Sequence, residues 1–206
     1  MIKKQTQLNK GDNMYIEPKE IVSSYNINNI GKDLYDMVIK YKPTKVVEFG
    51  LLYGYSTVSI AQGLRDNNIE NSKLLSFDLF DDYEYKHSVL SVVESNLEKY
   101  GLSKFVELNK ADFYKWVDTN EDFFDMLHLD ISNNGEIIND VYNYVNKLSK
   151  LHNKKIIVIF EGGTKDRDDV EWMKKYSKPK IYPLKETINY NIIRNEYPGL
   201  SYFITE

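Results

Sequence analysis

A chain of 206 residues is long enough for one sizeable α/β domain and short for two. With 42% apolar and 28% charged residues, and no apolar run near the ~20 residues that cross a bilayer, a membrane protein is not expected. A formal net charge of −4, with lysines scattered among acids, gives no general attraction to nucleic-acid phosphates, and the lack of cysteine removes disulfides and thiolate metal sites. The start MIKKQTQLNKGDN has no apolar core of the signal-peptide kind, so a cytoplasmic location is expected.

Residues 1 to 14 are polar, and Leu34, Met37, Val38 and Tyr41 recur at helical spacing until Pro43 ends the helix. The pattern then alternates. KVVEF reads as a strand and STVSIAQGLRD as a helix with Val58, Ala61 and Leu64 inward. KLLSFDLF is a second strand, and HSVLSVVESNLEKYG a helix with Val89, Val92, Val93 and Leu97 on one stripe and Gly101 as its stop. KFVELNKAD is a third strand, followed by a short segment at Tyr114 to Val117. FDMLHLDIS is a fourth strand, and GEIINDVYNYVNKLSKL a helix burying Ile137, Ile138, Val141, Val145 and Leu148. KKIIVIFEGG, the most apolar strand, reads as central and covered on both faces. Strands alternating with helices of 10 to 15 residues call for a parallel sheet with right-handed crossovers. After a helix at Trp172, KPKIYPLKE and LSYFITE are expected to form a terminal antiparallel pair.

The stretch VVEFGLLYGYSTVSIA carries the chemistry. Ligands of open α/β sheets sit beyond the carboxyl ends of the strands. Gly50 and Gly54 can let the backbone approach a ligand, while Ser56 or Thr57 can cap a helix whose N-terminus attracts a carboxylate or phosphate. The dinucleotide fingerprint G-x-G-x-x-G lacks its third glycine here, and Glu48 would repel a pyrophosphate. A nicotinamide-dependent oxidoreductase is therefore the disfavoured alternative.

Glu48-Phe-Gly50-Leu-Leu-Tyr-Gly54-Tyr-Ser56-Thr57 resembles the first motif of class I S-adenosylmethionine-dependent methyltransferases, especially the catechol O-methyltransferase-like branch, with Leu52 where the middle glycine usually stands. The resemblance runs over residues 30 to 206. It implies a Rossmann-like α/β three-layer sandwich whose seven-stranded, mostly parallel sheet has order 3-2-1-4-5-7-6 with strand 7 antiparallel. It implies two parts, a polar segment and helix at 1–42 that could cover the substrate and an S-adenosylmethionine-binding domain at 43–206. Asp78 would hold the ribose hydroxyls, Asp112 the adenine amino group with Phe113 on the adenine face, and Glu48 would lie near the methionine amino group. Asp130 would lie beside the transferred methyl. Glu161 matches the position of a second acid that in metal-dependent relatives joins Asp130 on Mg²⁺, with Asn133 or Asn134 as further oxygen donors. The residues after it, Gly162 and Gly163, depart from that pattern. Asp130, His128 and Glu161 are the candidate acids and bases. Asp166, Arg167 and Asp169 read as a charged helix start, and Tyr83, Tyr85 and Tyr114 as a surface or substrate wall. The expected activity is methylation of an oxygen on a small hydroxylated metabolite, sugar or natural-product intermediate, within a monomer or homodimer and without nucleic acid. A non-catalytic cofactor-binding subunit is the alternative outside enzymology.

Overall fold

The computed structural model describes residues 14–83 and 88–206. In chain order its main elements are α1 (Ile30–Tyr41), β1 (Lys45–Phe49), α2 (Tyr55–Asn67), β2 (Lys73–Asp78), α3 (Leu90–Lys99), β3 (Val106–Lys110), α4 (Phe113–Thr119), β4 (Met126–Leu129), α5 (Gly135–His152) and β5 (Ile157–Glu161). Two short helices, α6 (Lys165–Asp168) and α7 (Glu171–Lys175), then α8 (Lys185–Ile188), β6 (Asn191–Arg194) and β7 (Leu200–Ile204) complete the chain.

The seven strands form one sheet in the order β3-β2-β1-β4-β5-β7-β6. β1 to β5 are parallel, and β7 runs antiparallel to both β5 and β6. Because side chains alternate along a strand, Val46, Leu74, Met126 and Ile159 join the core under α1, α2 and α3, while Val47, Leu127, Val158 and Phe160 join the core under α5. The two helical layers cover both faces of the sheet. On α5, Ile138, Val141 and Val145 are fully buried, each stabilising the fold by roughly 1.5–3 kcal/mol. Asn134 caps that helix, its side-chain oxygen accepting from the backbone N–H of Glu136 at 2.9 Å.

The expected helix end at Pro43 holds, since Lys42 leaves the α region for φ +50° and the chain turns into β1. On α3 the expected stripe is half as wide, because Val93 and Leu97 are buried but Val89 and Val92 are exposed. That helix ends in a tight reversal in which the N–H groups of Gly101 and Leu102 return to Glu98 and Leu97.

The terminal hairpin departs from expectation. KPKIYPLKE is not a strand but a bend, a 3-10 turn (Tyr182–Leu184) with Pro183 in its first turn, and α8. Pro179 and Pro183 cannot donate to a ladder. The N–H groups of Ile181 and Tyr182 instead go to the buried carboxylate of Asp168, at 2.9 and 2.7 Å. The partner of β7 is β6, inside NYNIIRNEYPG, and Arg194 at its end ties the hairpin to α1 through a two-pronged contact with Asp33 at 2.9 and 3.0 Å.

Residues 14–29 pack on the same core. Ile16 and Gln62 exchange two hydrogen bonds of 2.9 Å, Tyr15 meets Ser59, and Ile21 and Tyr25 are buried. Among the described residues no helix is long and apolar enough to cross a membrane.

Candidate active site

A cavity of about 880 Å³ opens beyond the carboxyl ends of β1, β2 and β4, walled at one side by the 14–29 segment and at the other by α6, α7 and the bend before α8. It lies where the strand order reverses between β1 and β4, as ligand sites of doubly wound sheets do.

The glycine turn is built by close backbone approach. Gly50 sits at φ +87°, and a Cβ there would stand 1.8 Å from the carbonyl oxygen of Asp130. The room at Gly50 is thus taken by the end of β4 as well as opened to the cavity, a correction to the expectation of ligand space alone. Gly54 at φ +86° is the N-cap of α2. Neither Ser56 nor Thr57 caps that helix. The Ser56 hydroxyl donates to Glu48 at 2.6 Å, and Thr57 is fully buried.

Asp78 ends β2 on the cavity wall. One carboxylate oxygen accepts from Leu51 N–H at 2.8 Å and the other from Phe80 N–H at 2.9 Å, so the residue shapes the glycine turn while facing the cavity. Asp112 caps α4, accepting from Lys115 N–H at 3.1 Å, and lines the same wall. Phe113 beside it packs edge-on to Phe49, ring centroids 5.2 Å apart. Asp78, Asp112, Phe113, Gly50 and Ser56 therefore all line the cavity.

Glu48 is elsewhere. It is fully buried behind Ser56, accepting from Ser56 and from Ser76 at 2.8 Å and facing His128 Nδ1 at 3.2 Å. The other ring nitrogen of His128 meets the hydroxyl of Tyr25 at 3.3 Å. His128 shares the side of β4 on which this internal chain of contacts runs, has no exposed surface, and does not line the cavity. As a base in direct contact with substrate it does not fit, since both nitrogens are engaged inside the protein. Tyr25 does line the cavity and interacts with Asp130, linking Glu48 and His128 to the site.

Asp130 follows β4 and faces the cavity, its carboxyl pushed up by burial against the pull of His128 and the Tyr25 hydroxyl. Glu161 ends β5 and is 5% exposed. Burial, then the neighbouring charge of Asp130, push it up to about 8. Arg167 of α6 grips Glu161 with two nitrogens, Nε on one carboxylate oxygen and Nη2 on the other at 2.9 Å. Arg167 is 4% exposed, and the ring of Trp172 lies 5.0 Å from its central carbon.

This arrangement does not fit the metal site that the resemblance implies. The guanidinium holds both oxygens of Glu161. Asn133 donates its amide N–H groups to the carbonyls of Leu129 and Glu161, leaving its buried Oδ1 as a single unpartnered oxygen, and Asn134 is occupied as the cap of α5. Among the described residues no group of three or more acidic or histidine side chains could hold a metal ion.

Tyr83 and Tyr114 line the cavity, while Tyr85 lies outside the described residues. Of the expected charged helix start, Asp166 and Asp169 are exposed but Arg167 is a buried wall of the site, and the half-buried Trp172 lines it too. The available signal for Arg167 was its place, six residues beyond Glu161 and just after the N-cap Thr164. Nothing local in the sequence marked Tyr25, more than a hundred residues from its partner His128.

Residues 47–161 match a family model described as a methyltransferase domain. No curated protein matches the sequence. Among solved structures, the chain is similar to the O-methyltransferase TomG of Streptomyces achromogenes, in complex with SAM, at TM-score 0.63 and 16% identity over 91% of this chain and 83% of that one. It is also similar to an O-methyltransferase of Bacillus cereus in complex with SAH (0.60; 18%; 91% and 82%) and to a caffeoyl-CoA O-methyltransferase assignment from Staphylococcus aureus (0.58; 14%; 87% and 84%). The matched model spans more than half of the chain, and the sheet order, the glycine turn and the switch-point cavity accord with it: the chain belongs to the methyltransferase domain family, as a class I S-adenosylmethionine-dependent methyltransferase.

Proposed function

We propose that this protein methylates an oxygen of a small hydroxylated molecule at the expense of S-adenosylmethionine. The observation that carries the reading is that one cavity is lined both by Asp78, Asp112 and Phe113, which follow β2 and β3 on one side of the switch point, and by Asp130, which follows β4 on the other. Asp78 accepts from vicinal ribose hydroxyls with lone pairs left beyond its two backbone contacts, and Asp112 and Phe113 receive the adenine. Glu48 holds Ser56 in place from behind rather than touching ligand. The bound co-substrate supplies an electrophilic sulfonium methyl.

Asp130 is the base of the reaction. Pushed up from its ordinary value by burial, it takes the proton of the acceptor hydroxyl more readily than an exposed aspartate would. The oxygen attacks the methyl carbon as the carbon–sulfur bond breaks, leaving a methyl ether and S-adenosylhomocysteine. The 14–29 segment and the α6–α7 wall exclude water and fix the approach angle, and such alignment is worth several kcal/mol, up to ~7–11 in the best intramolecular cases. His128 positions Tyr25, and through it Asp130. The choice of oxygen rests on the three similar structures, all described as O-methyltransferases.

Calorimetric titration tests the reading. S-adenosylhomocysteine is expected to bind in the micromolar range and NAD not at all, and Asp78→Ala is expected to abolish the binding while the chain stays folded. Binding of NAD alone, or unchanged affinity in Asp78→Ala, would refute it.

A further inference from the structure

The cavity end away from Asp78 carries a donor that the protein does not use. Arg167 spends Nε and Nη2 on Glu161, but Nη1 is buried and has no acceptor among the described residues. A buried charged N–H left without a partner is strongly unfavourable, and native structures keep such groups where a ligand completes them. Lys178 lines the same end of the cavity. Its backbone N–H donates to Met173 at 2.9 Å, and the chain just beyond it is anchored through Ile181 and Tyr182 on Asp168, next to Arg167. The negative groups around Arg167 are Glu161, Asp130 and its buried neighbour Asp168, whose carboxylate is engaged by the N–H groups of Ile181 and Tyr182, and Trp172 covers one face of the guanidinium.

Building on the methyltransferase reading above, we propose that Arg167 Nη1, assisted by Lys178, binds a carboxylate of the methyl acceptor, so that the acceptors are small hydroxy acids rather than neutral alcohols or phenols. The acid's hydroxyl then lies toward Asp130 and its carboxylate toward α6. A guanidinium seated between two acids takes the place that a divalent cation would need, and supplies the positive charge as a hydrogen-bond donor of fixed direction.

The test uses the full chain loaded with S-adenosylhomocysteine, titrated with matched acids and amides: salicylate against salicylamide, mandelate against mandelamide, lactate against lactamide. At least one acid is expected to bind about tenfold or more tighter than its amide. That preference is expected to vanish in Arg167→Met/Glu161→Gln, which removes both buried charges together so that no unpaired carboxylate is left to unfold the chain. It is expected to weaken about threefold in Lys178→Gln, an exposed position that tolerates substitution. Equal affinities for every acid and amide, or a preference that survives the double variant, would overturn the proposal while leaving the methyltransferase reading intact. Failure of the wild-type chain to bind S-adenosylhomocysteine would instead remove the reading on which it rests.

Discussion

Replacing Glu161 with Gln should change how stability depends on pH, because Glu161 is a carboxyl held up to about 8 by burial and by Asp130. The sign follows from proton counting. Between the ordinary value of 4.5 and about 8, the folded chain holds a proton on Glu161 that the unfolded chain has released. Stability therefore falls as pH rises through this window, by at most ~1.4 kcal/mol per pH unit. Over the whole window the fall amounts to roughly 5 kcal/mol, since the side chain is nearly inaccessible and solvent screens it little. The glutamine side chain has the same size, can still accept from Arg167, and carries no titrating proton. Urea denaturation of both proteins at several values from pH 5 to pH 9 isolates the effect, because groups common to both cancel in the difference. The wild type is expected to lose stability relative to the variant as pH rises, with the steepest change between pH 5 and 8. Parallel profiles would show that Arg167 neutralises Glu161 fully and that the raised carboxyl has been misread.

Two further substitutions address the site from other directions. Gly50→Ala places a methyl group against the carbonyl of Asp130 and forces a left-handed backbone onto a residue with a Cβ, so a loss of about 2–4 kcal/mol and much weaker S-adenosylhomocysteine binding are expected by urea melts and calorimetry; wild-type values for both would mean that the ends of β1 and β4 part without cost. His128→Phe breaks the buried contacts to Glu48 and Tyr25, and should cost about 2–4 kcal/mol and lower kcat more than it raises KM if Tyr25 positions Asp130; a change in stability alone would make the histidine purely structural.

The parallel part of the fold was legible in the sequence because each of its strands and helices is local. KVVEF, KLLSFD and IVIFE show their apolar runs within five or six residues, and α5 its stripe over five turns. The expected hairpin partner differs because IYPL and NIIR have similar apolar content, while Pro183 and the contact of Asp168 with the N–H groups of Ile181 and Tyr182 take IYPL out of the ladder. In the site, residues that close the cavity from their own strand ends, Asp78, Asp112 and Asp130, could be read from position. Glu48 could not, since its partners Ser76 and His128 lie on neighbouring strands and turn it inward. Arg167 looked like surface charge because helical context alone favours such a pattern. Its burial follows from Glu161, at the end of a strand covered on both faces.

The two tryptophans of the chain stand at different parts of the ligand cavity, Trp172 in its lining and Trp116 behind the lining residues Phe49 and Phe77. Trp116 meets Phe49 edge-on and Phe77 at a tilt, whereas Trp172 lies over the Arg167 guanidinium. The protein thus carries two built-in optical reporters. Single Trp→Phe variants would let intrinsic fluorescence follow the filling of each half separately, and so give the order in which the two substrates arrive without any added label.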